Sequence, residues 1–266
     1  MDISSVKIGF LGFGNMATAT AMAKGWIASG KIAPTQLFAS SGRFNVLQER
    51  TQALGISACA SNTELVSSVD VVVLAVKPYL VESVLKEVAK AIEGKVVISV
   101  AVNLSSQTLK GWAPECSVLA VLPNTPVAIN EGIVLCEQED ALVSDAQRED
   151  LFELLRLLGR VVRLPSAQLK VGGILSGCGP AYAAMIIEGL ADGAVRCGLP
   201  RAVAYELASQ MLVGTAQLQL NTGAHPGAMK DAVCSPGGTT IEGVALLERR
   251  GLRSALIDAV EAVAKR

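Results

Sequence analysis

Lys7-Ile8-Gly9-Phe10-Leu11-Gly12-Phe13-Gly14-Asn15-Met16-Ala17 is an apolar strand that runs into Gly-x-Gly-x-x-Ala and then into a helical stretch. Gly12 suits the tight turn off a strand, Gly14 lets the backbone approach a pyrophosphate, and the small Ala17 lets the next helix pack on a sheet. Free N–H groups and the positive dipole end of such a helix hold phosphate. A Gly-x-Gly-x-x-Ala also occurs in α/β proteins that bind no nucleotide, and its place directly after a strand is the context that points to dinucleotide binding.

Working outward, the helix over 15–29 ends at Gly30, and Leu37-Phe38-Ala39 is the second strand. An NAD-selective fold places an acidic residue after that strand to bind the ribose 2′-hydroxyl. This chain has Ser40-Ser41-Gly42-Arg43, whose hydroxyls and guanidinium suit a 2′-phosphate, so NADPH is expected with NADH as the alternative; an ordinary polar loop is the competing reading. The alternation continues with a helix over 45–54, a strand over 57–60 and a helix over 63–68 for which Asn62 is the expected N-cap. Val71-Val72-Val73-Leu74-Ala75-Val76, closed by Lys77-Pro78, reads as a central parallel strand buried on both faces. A helix over 81–92, a strand over 96–100, a short segment after Ser105 and a strand over 116–122 complete a doubly wound sheet.

Pro123-Asn124-Thr125-Pro126 follows, with two prolines expected to fix the loop, exclude a helix and hold Asn124 and Thr125 at the sheet edge. A segment over 132–136, a helix over 144–158 and a strand over 160–164 lead to Pro165, the expected boundary between domains 1–165 and 166–266. Beyond it the strand signal ends. From Ala181 to Cys197 the charges are Glu188, Asp192 and Arg196 on one thin face, and the helix from Arg201 to Leu220 is similar. Helices apolar most of the way round must be covered on several sides. A second copy of the chain is the expected cover, and packing under the sheet is the competing one.

The whole-chain balance narrows the function classes. Formal net charge is −1, with no Lys/Arg cluster, which argues against nucleic acid as the main partner. No uninterrupted apolar run of about 18 residues spans a bilayer. The first strand begins close to Met1, so no secretory or transit segment is expected and the expected location is the cytoplasm. Six cysteines without a C-x-x-C pair and a single histidine give no zinc constellation, so reduced, mostly buried thiols are expected.

A second motif lies near the end: His225-Pro226, then Cys234-Ser235-Pro236-Gly237-Gly238-Thr239-Thr240. The Pro-Gly-Gly turn feeds a helix over 241–249, and its N–H groups suit a small carboxylate. The alternative is that Thr239 merely caps that helix, and His225 reads as a capping residue. No Lys-x-x-x-Asn helix, paired loop carboxylates or G-x-S-x-G is present. Reduction of a protonatable C=N bond needs little acid–base machinery, because an iminium is already an activated electrophile.

With both motifs in place the chain resembles the pyrroline-5-carboxylate reductase family along essentially its whole length. The resemblance rests on residues 9–17, Ala75-Val76-Lys77-Pro78, Pro123-Asn124-Thr125-Pro126, Ser176-Gly177-Cys178-Gly179-Pro180-Ala181-Tyr182 and Ser235-Pro236-Gly237-Gly238-Thr239-Thr240. It implies a Rossmann-type NAD(P)H domain and a helical domain that interlocks in a homodimer or larger homo-oligomer, with each active site drawing on two chains. It implies hydride transfer to the imine carbon of 1-pyrroline-5-carboxylate, giving L-proline. Gly9, Leu11, Gly12, Phe13, Gly14, Asn15 and Met16 would then form the pyrophosphate turn. Ser41, Arg43 and Asn62 would meet the adenosine end, and Ala75, Val76, Lys77, Pro78 and Ala101 the nicotinamide half. The backbone of Gly238 and Thr239 would hold the substrate carboxylate, with Ser235, Pro123 and Asn124 beside it and the Thr240 hydroxyl at the ring nitrogen as the catalytic group. The chain departs from the family at Ala120 and Leu122, where arginine and methionine are usual, at Val102-Asn103 in place of Ala-Gly, and at Cys178 in place of serine. Two other readings remain: a β-hydroxyacid-type dehydrogenase, for which Lys170 is the nearest lysine, and an NADPH-binding sensor or scaffold without turnover.

Overall fold

The structure, a computed structural model, describes residues 2–14, 17–138 and 144–265. Asn15 and Met16, expected at the cofactor turn, lie outside the described residues. The chain divides into two compact units, Met1–Gly177 and Cys178–Arg266.

The first unit alternates strands and helices: β1 (Ile8–Leu11), α1 (Ala17–Ala28), β2 (Leu37–Ser40), α2 (Phe44–Leu54), β3 (Ser57–Ala58), α3 (Asn62–Ser67), β4 (Val71–Leu74), α4 (Val81–Glu87), β5 (Val96–Ser99), α5 (Ser106–Trp112), β6 (Ser117–Pro123), β7 (Gly132–Glu137), α6 (Asp145–Arg156) and β8 (Gly159–Leu164). The sheet order is β3-β2-β1-β4-β5-β6-β7-β8. Strands β3 to β6 in that order are parallel; β7 runs antiparallel to β6, and β8 parallels β7. The link from β6 to β7 is too short for a crossover helix, which forces the reversal. Ser40, Leu11, Leu74, Ser99 and Ala120 stand level across the sheet at its carboxyl edge. Chain order reverses between β1 and β4, so the crevice for a ligand opens there.

Side chains alternate between the two faces, as a pleated strand requires. Ile8, Phe10, Val71 and Val73 join Trp26, Leu119 and Leu154 in one core, and Leu11, Val72 and Leu74 join Leu65, Leu85 and Leu109 in the other. Trp26 is fully buried and its Nε1–H donates to the Leu154 carbonyl at 2.9 Å, satisfying the one polar atom that this large side chain takes inside.

Two local expectations are corrected. The cap of α3 is Ser61, whose Oγ accepts from Glu64 N–H at 3.1 Å while the Glu64 carboxylate accepts from Ala60 N–H at 2.8 Å. This Ser-x-x-Glu arrangement leaves Asn62 as the first helical residue, its side chain free for another task. The Pro-Asn-Thr-Pro segment is not helix-free: Thr125–Ile129 is a 3-10 turn, with Pro126 in its first positions, where a missing N–H costs nothing.

Helix α7 (Ser166–Arg196) is continuous and contains Pro180, so the helical region begins well before Ala181. The second unit holds most of α7 and α8 (Arg201–Thr222), α9 (Pro226–Ala232), α10 (Thr239–Arg249) and α11 (Leu252–Ala264). Tyr182 Oη donates to the Ala259 carbonyl at 3.5 Å, joining α7 to α11. Helix α8 buries Ala204 and Ala208, while Leu207, Met211, Val213, Leu218 and Leu220 are exposed in the single chain. Among the described residues α7 has the length and apolarity that would cross a bilayer by composition alone, a test that the core helix of a soluble protein also passes. All six cysteines are free; burial pushes the Cys59 and Cys116 thiols above their ordinary pKa and keeps them protonated.

Candidate active site

The turn after β1 is a cradle of the kind a pyrophosphate needs. Gly12 has φ +88°, and a Cβ there would meet Val76 Cγ1 at 2.6 Å and the Ala75 carbonyl oxygen at 2.9 Å, so only glycine closes the turn against the end of β4. The N–H groups of Gly12 and Phe13 both donate to the Ser40 carbonyl at 3.0 Å, which locks the turn to β2. Those two amides are therefore spent, and Leu11 and Phe13 turn their side chains into the core. Gly9 lies mid-strand, and Leu65 and Val69 pack where its Cβ would be; it is a packing glycine rather than part of the phosphate turn.

Arg50 was not anticipated. Its Nη1 donates to the Gly14 carbonyl, bringing a guanidinium to the lip of the turn. Arg43, exposed, is the N-cap residue of α2, seven positions before Arg50. A guanidinium at the lip of a glycine turn fits a phosphate. Ser41, two residues before Arg43, is half-buried.

Asn62 is anchored rather than loose. The buried Ser40 hydroxyl donates to Asn62 Oδ1 at 2.7 Å, and Asn62 Nδ2 donates to Glu87 Oε2 at 3.0 Å. This chain fixes the amide at the ends of β2 and α4, where the adenosine half of a dinucleotide lies in a sheet of this order.

Past the end of β4, Ala75 is fully buried and Val76 nearly so, while Lys77 is exposed and precedes the 3-10 turn Pro78–Leu80. Ala101 is buried just beyond β5, its N–H on Ser99 Oγ at 3.3 Å. Asn103 adopts φ +62°. Asparagine tolerates the left-handed region far better than most residues, so it can occupy the place where the family has glycine.

Pro123-Asn124-Thr125-Pro126 and the motif around Pro180 prove to be one structural unit. A proline inside a helix cannot bond the carbonyl four residues back, here that of Ser176. Asn124 Nδ2 donates to that carbonyl at 3.1 Å, while Asn124 Oδ1 accepts from Ile133 N–H at 2.9 Å. The expectation that Asn124 serves substrate is thus corrected for most of its side chain: both ends of the buried amide tie β7 to α7, and one N–H remains. Pro123, at the end of β6, is half-buried.

In the second unit, Gly238 N–H donates to the Ser235 carbonyl at 3.0 Å, and Gly237 takes φ +67°, closing a Pro-Gly turn. Gly238, not Thr239, is the N-cap of α10. The Gly238 amide is consumed, which moves the expected carboxylate donors to the next amides, those of Thr239 and Thr240, at the positive end of an eleven-residue helix. Ser235, Thr239 and Thr240 are exposed in the single chain. His225 caps α9 as read from sequence, its Nδ1 accepting from Gly227 N–H at 3.1 Å.

A family model for pyrroline-5-carboxylate reductase dimerisation matches residues 166–266, and one described as NADP oxidoreductase, coenzyme F420-dependent, matches residues 7–103. The pyrroline-5-carboxylate reductase of Treponema pallidum (strain Nichols) is 40% identical over 262 residues, 97% of this chain and 98% of the relative. The chain belongs to the pyrroline-5-carboxylate reductase family. The Escherichia coli (strain K12) reductase is 38% identical, covering 96% of this chain and 94% of its own. The crystal structure of Plasmodium falciparum pyrroline carboxylate reductase with NADP bound superposes with a TM-score of 0.84 at 27% identity, covering 98% of this chain and 97% of that one.

Asn124→Ala leaves the Ser176 carbonyl and the Ile133 amide without partners in a buried setting. It is expected to cost about 2 to 4 kcal/mol, read as a lower Tm by calorimetry. An unchanged Tm would show that Asn124 is not what satisfies the helix around Pro180.

Proposed function

We propose that this chain reduces 1-pyrroline-5-carboxylate to L-proline with NADPH, the last step of proline biosynthesis. The observation that carries the proposal is the presence, in one member of this family, of two different anion sites: a glycine turn on a sheet with Arg50 at its lip, and a Ser-Pro-Gly-Gly-Thr-Thr turn at a helix start. The first suits a dinucleotide phosphate and the second a small carboxylate.

NADPH, when bound, supplies the hydride. Gly12 and Gly14 shape its seat, Arg50, Arg43 and Ser41 serve its phosphates, and Asn62 its adenosine half. Ala75, Val76, Lys77, Pro78 and Ala101 bound the nicotinamide half, with Ala75, Val76 and Ala101 as its buried apolar part. The amides of Thr239 and Thr240 hold the carboxylate of the substrate. The imine enters protonated; the hydride adds to its imine carbon, the C=N electron pair becomes a lone pair on nitrogen, and Thr240 Oγ1 hydrogen-bonds that nitrogen as donor or proton relay. Neutral hydroxyl chemistry suffices because the protonated imine is already the electrophile. Neither Thr239 nor Thr240 makes a side-chain hydrogen bond among the described residues, so the hydroxyl is available.

The exposed apolar faces of α7 and α8 support self-association as a homodimer or larger homo-oligomer. The proposed division of labour is 1–165 for the cofactor and 166–266 for substrate and self-association. The cytoplasm is the proposed location; the near-neutral charge favours a small-molecule partner over nucleic acid or a membrane surface.

Steady-state oxidation of NADPH with pyrroline-5-carboxylate tests the proposal, and its absence would refute it. Thr240→Ala should lower kcat by about 10- to 100-fold with the NADPH Kd held within about twofold; unchanged kcat removes Thr240 from the mechanism. Arg43→Glu should weaken NADPH binding by about tenfold or more and NADH by far less, whereas equal losses would refute its contact with the 2′-phosphate. Leu207→Glu, on the exposed α8 face, should shift sedimentation toward the monomer, and an unaltered sedimentation profile would place the contact elsewhere.

A further inference from the structure

Glu137, the last residue of β7, is a carboxylate only 6% exposed. Its Oε2 accepts from Ser106 N–H at 3.1 Å and its Oε1 from the Ser166 hydroxyl at 3.0 Å. Ser106 is the first residue of α5 and Ser166 the first of α7. The Ser106 hydroxyl in turn accepts from Ala120 N–H at 3.0 Å on β6. One buried group thus ties together the ends of β7, α5 and α7, and through Ser106 that of β6. An anion is costly to bury without such partners, and the start of a helix is where a backbone best supports it.

The segment that this clasp holds is residues 100–105, between β5 and α5. Its entry is fixed by the Ala101 N–H on Ser99 Oγ, and its exit by Glu137 on Ser106. Val100 and Ala101 are buried in the core and Leu104 packs against it, while Val102 and Asn103 are exposed. A cavity of about 290 Å³ lies against the segment, lined among others by Ala101, Asn103, Ala120, Leu122, Glu137 and Lys170. Helix α5 has seven residues, with Ser105 Oγ as its N-cap accepting from Thr108 N–H, so its start depends on such end contacts more than on helix propagation. With open space beside the exposed residues, the bond from Ser106 N–H to Glu137 sets the course of residues 102–105 beyond the buried Ala101.

We infer that Glu137 is a positioning residue for the reduction, holding residues 102–105 against the buried Ala101 so that this segment borders the nicotinamide half in the correct place. The inference rests on the function proposed above. Glutamine can reproduce both contacts, its Oε1 accepting from Ser106 and its Nε2 donating to the Ser166 hydroxyl. Alanine reproduces neither, and methionine fills the volume without accepting a hydrogen bond.

The test compares Glu137→Ala, Glu137→Met and Glu137→Gln with the wild-type enzyme, by steady-state kinetics, NADPH fluorescence titration and hydrogen exchange of the ligand-free protein. A displaced segment beside the reacting ring is expected to lower kcat by about tenfold or more in the alanine and methionine variants. The NADPH Kd should stay within about twofold, since the glycine cradle and the arginines are untouched. Exchange over residues 102–106 should speed up by about tenfold while β1 and β4 stay protected, and glutamine should restore both readouts to within about threefold. The methionine variant carries the test if the alanine variant does not fold. Unchanged kcat with unchanged exchange overturns the inference, as does a loss in kcat matched by an equal loss of NADPH affinity. A glutamine variant as impaired as alanine overturns it as well. Absence of turnover in the wild-type enzyme would instead refute the proposed reaction, and exchange would then decide the segment's dependence on Glu137 alone.

Discussion

Pro180 has no amide hydrogen, and the answer to that absence organises this chain. The carbonyl of Ser176 that a regular helix would bond to residue 180 is met by the Asn124 side chain, from a loop 52 positions away. Because Asn124 also holds Ile133 through its main chain and side chain, the turn from β6 to β7 and the course of α7 are set together. Helix α7 spans the boundary between the two compact units, with Ser176 in the first. Two motifs that look unrelated along the chain are a donor and its acceptor.

The sheet provides the other constraint. Five residues from five neighbouring strands stand level at the carboxyl edge, and the glycine turn is locked to that edge by two N–H groups on the Ser40 carbonyl. Everything assigned to the cofactor hangs from this rim: the arginines of α2, the Ser40–Asn62–Glu87 chain, the buried Ala75 and Ala101. Placement of a nicotinamide ring is a matter of backbone position more than of reactive side chains, which agrees with a reaction that needs little acid–base help.

Much of this was legible before any coordinates. Val71–Leu74 is apolar at every position because it is buried on both faces, and the Gly-x-Gly turn directly after β1 points to dinucleotide binding. Partners distant in sequence were not legible. Nothing local shows that Arg50 reaches the Gly14 carbonyl, or that Glu137 receives Ser106 and Ser166. Glu64 decides Ser61 over Asn62 as the α3 cap, through the Ser-x-x-Glu capping box that the sequence carries. Helix α7 runs unbroken through Gly177-Cys178-Gly179-Pro180, with Asn124 meeting the carbonyl that Pro180 leaves without its helical partner, and no local signal shows that distant donor.

The most direct test of the account uses NADPH carrying deuterium at the transferable C4 position of the nicotinamide, with pyrroline-5-carboxylate as substrate and the product analysed by mass spectrometry and NMR. The account predicts L-proline with one deuterium, at C5. Proline without the label, or NADPH oxidation that proceeds without forming proline, would contradict it.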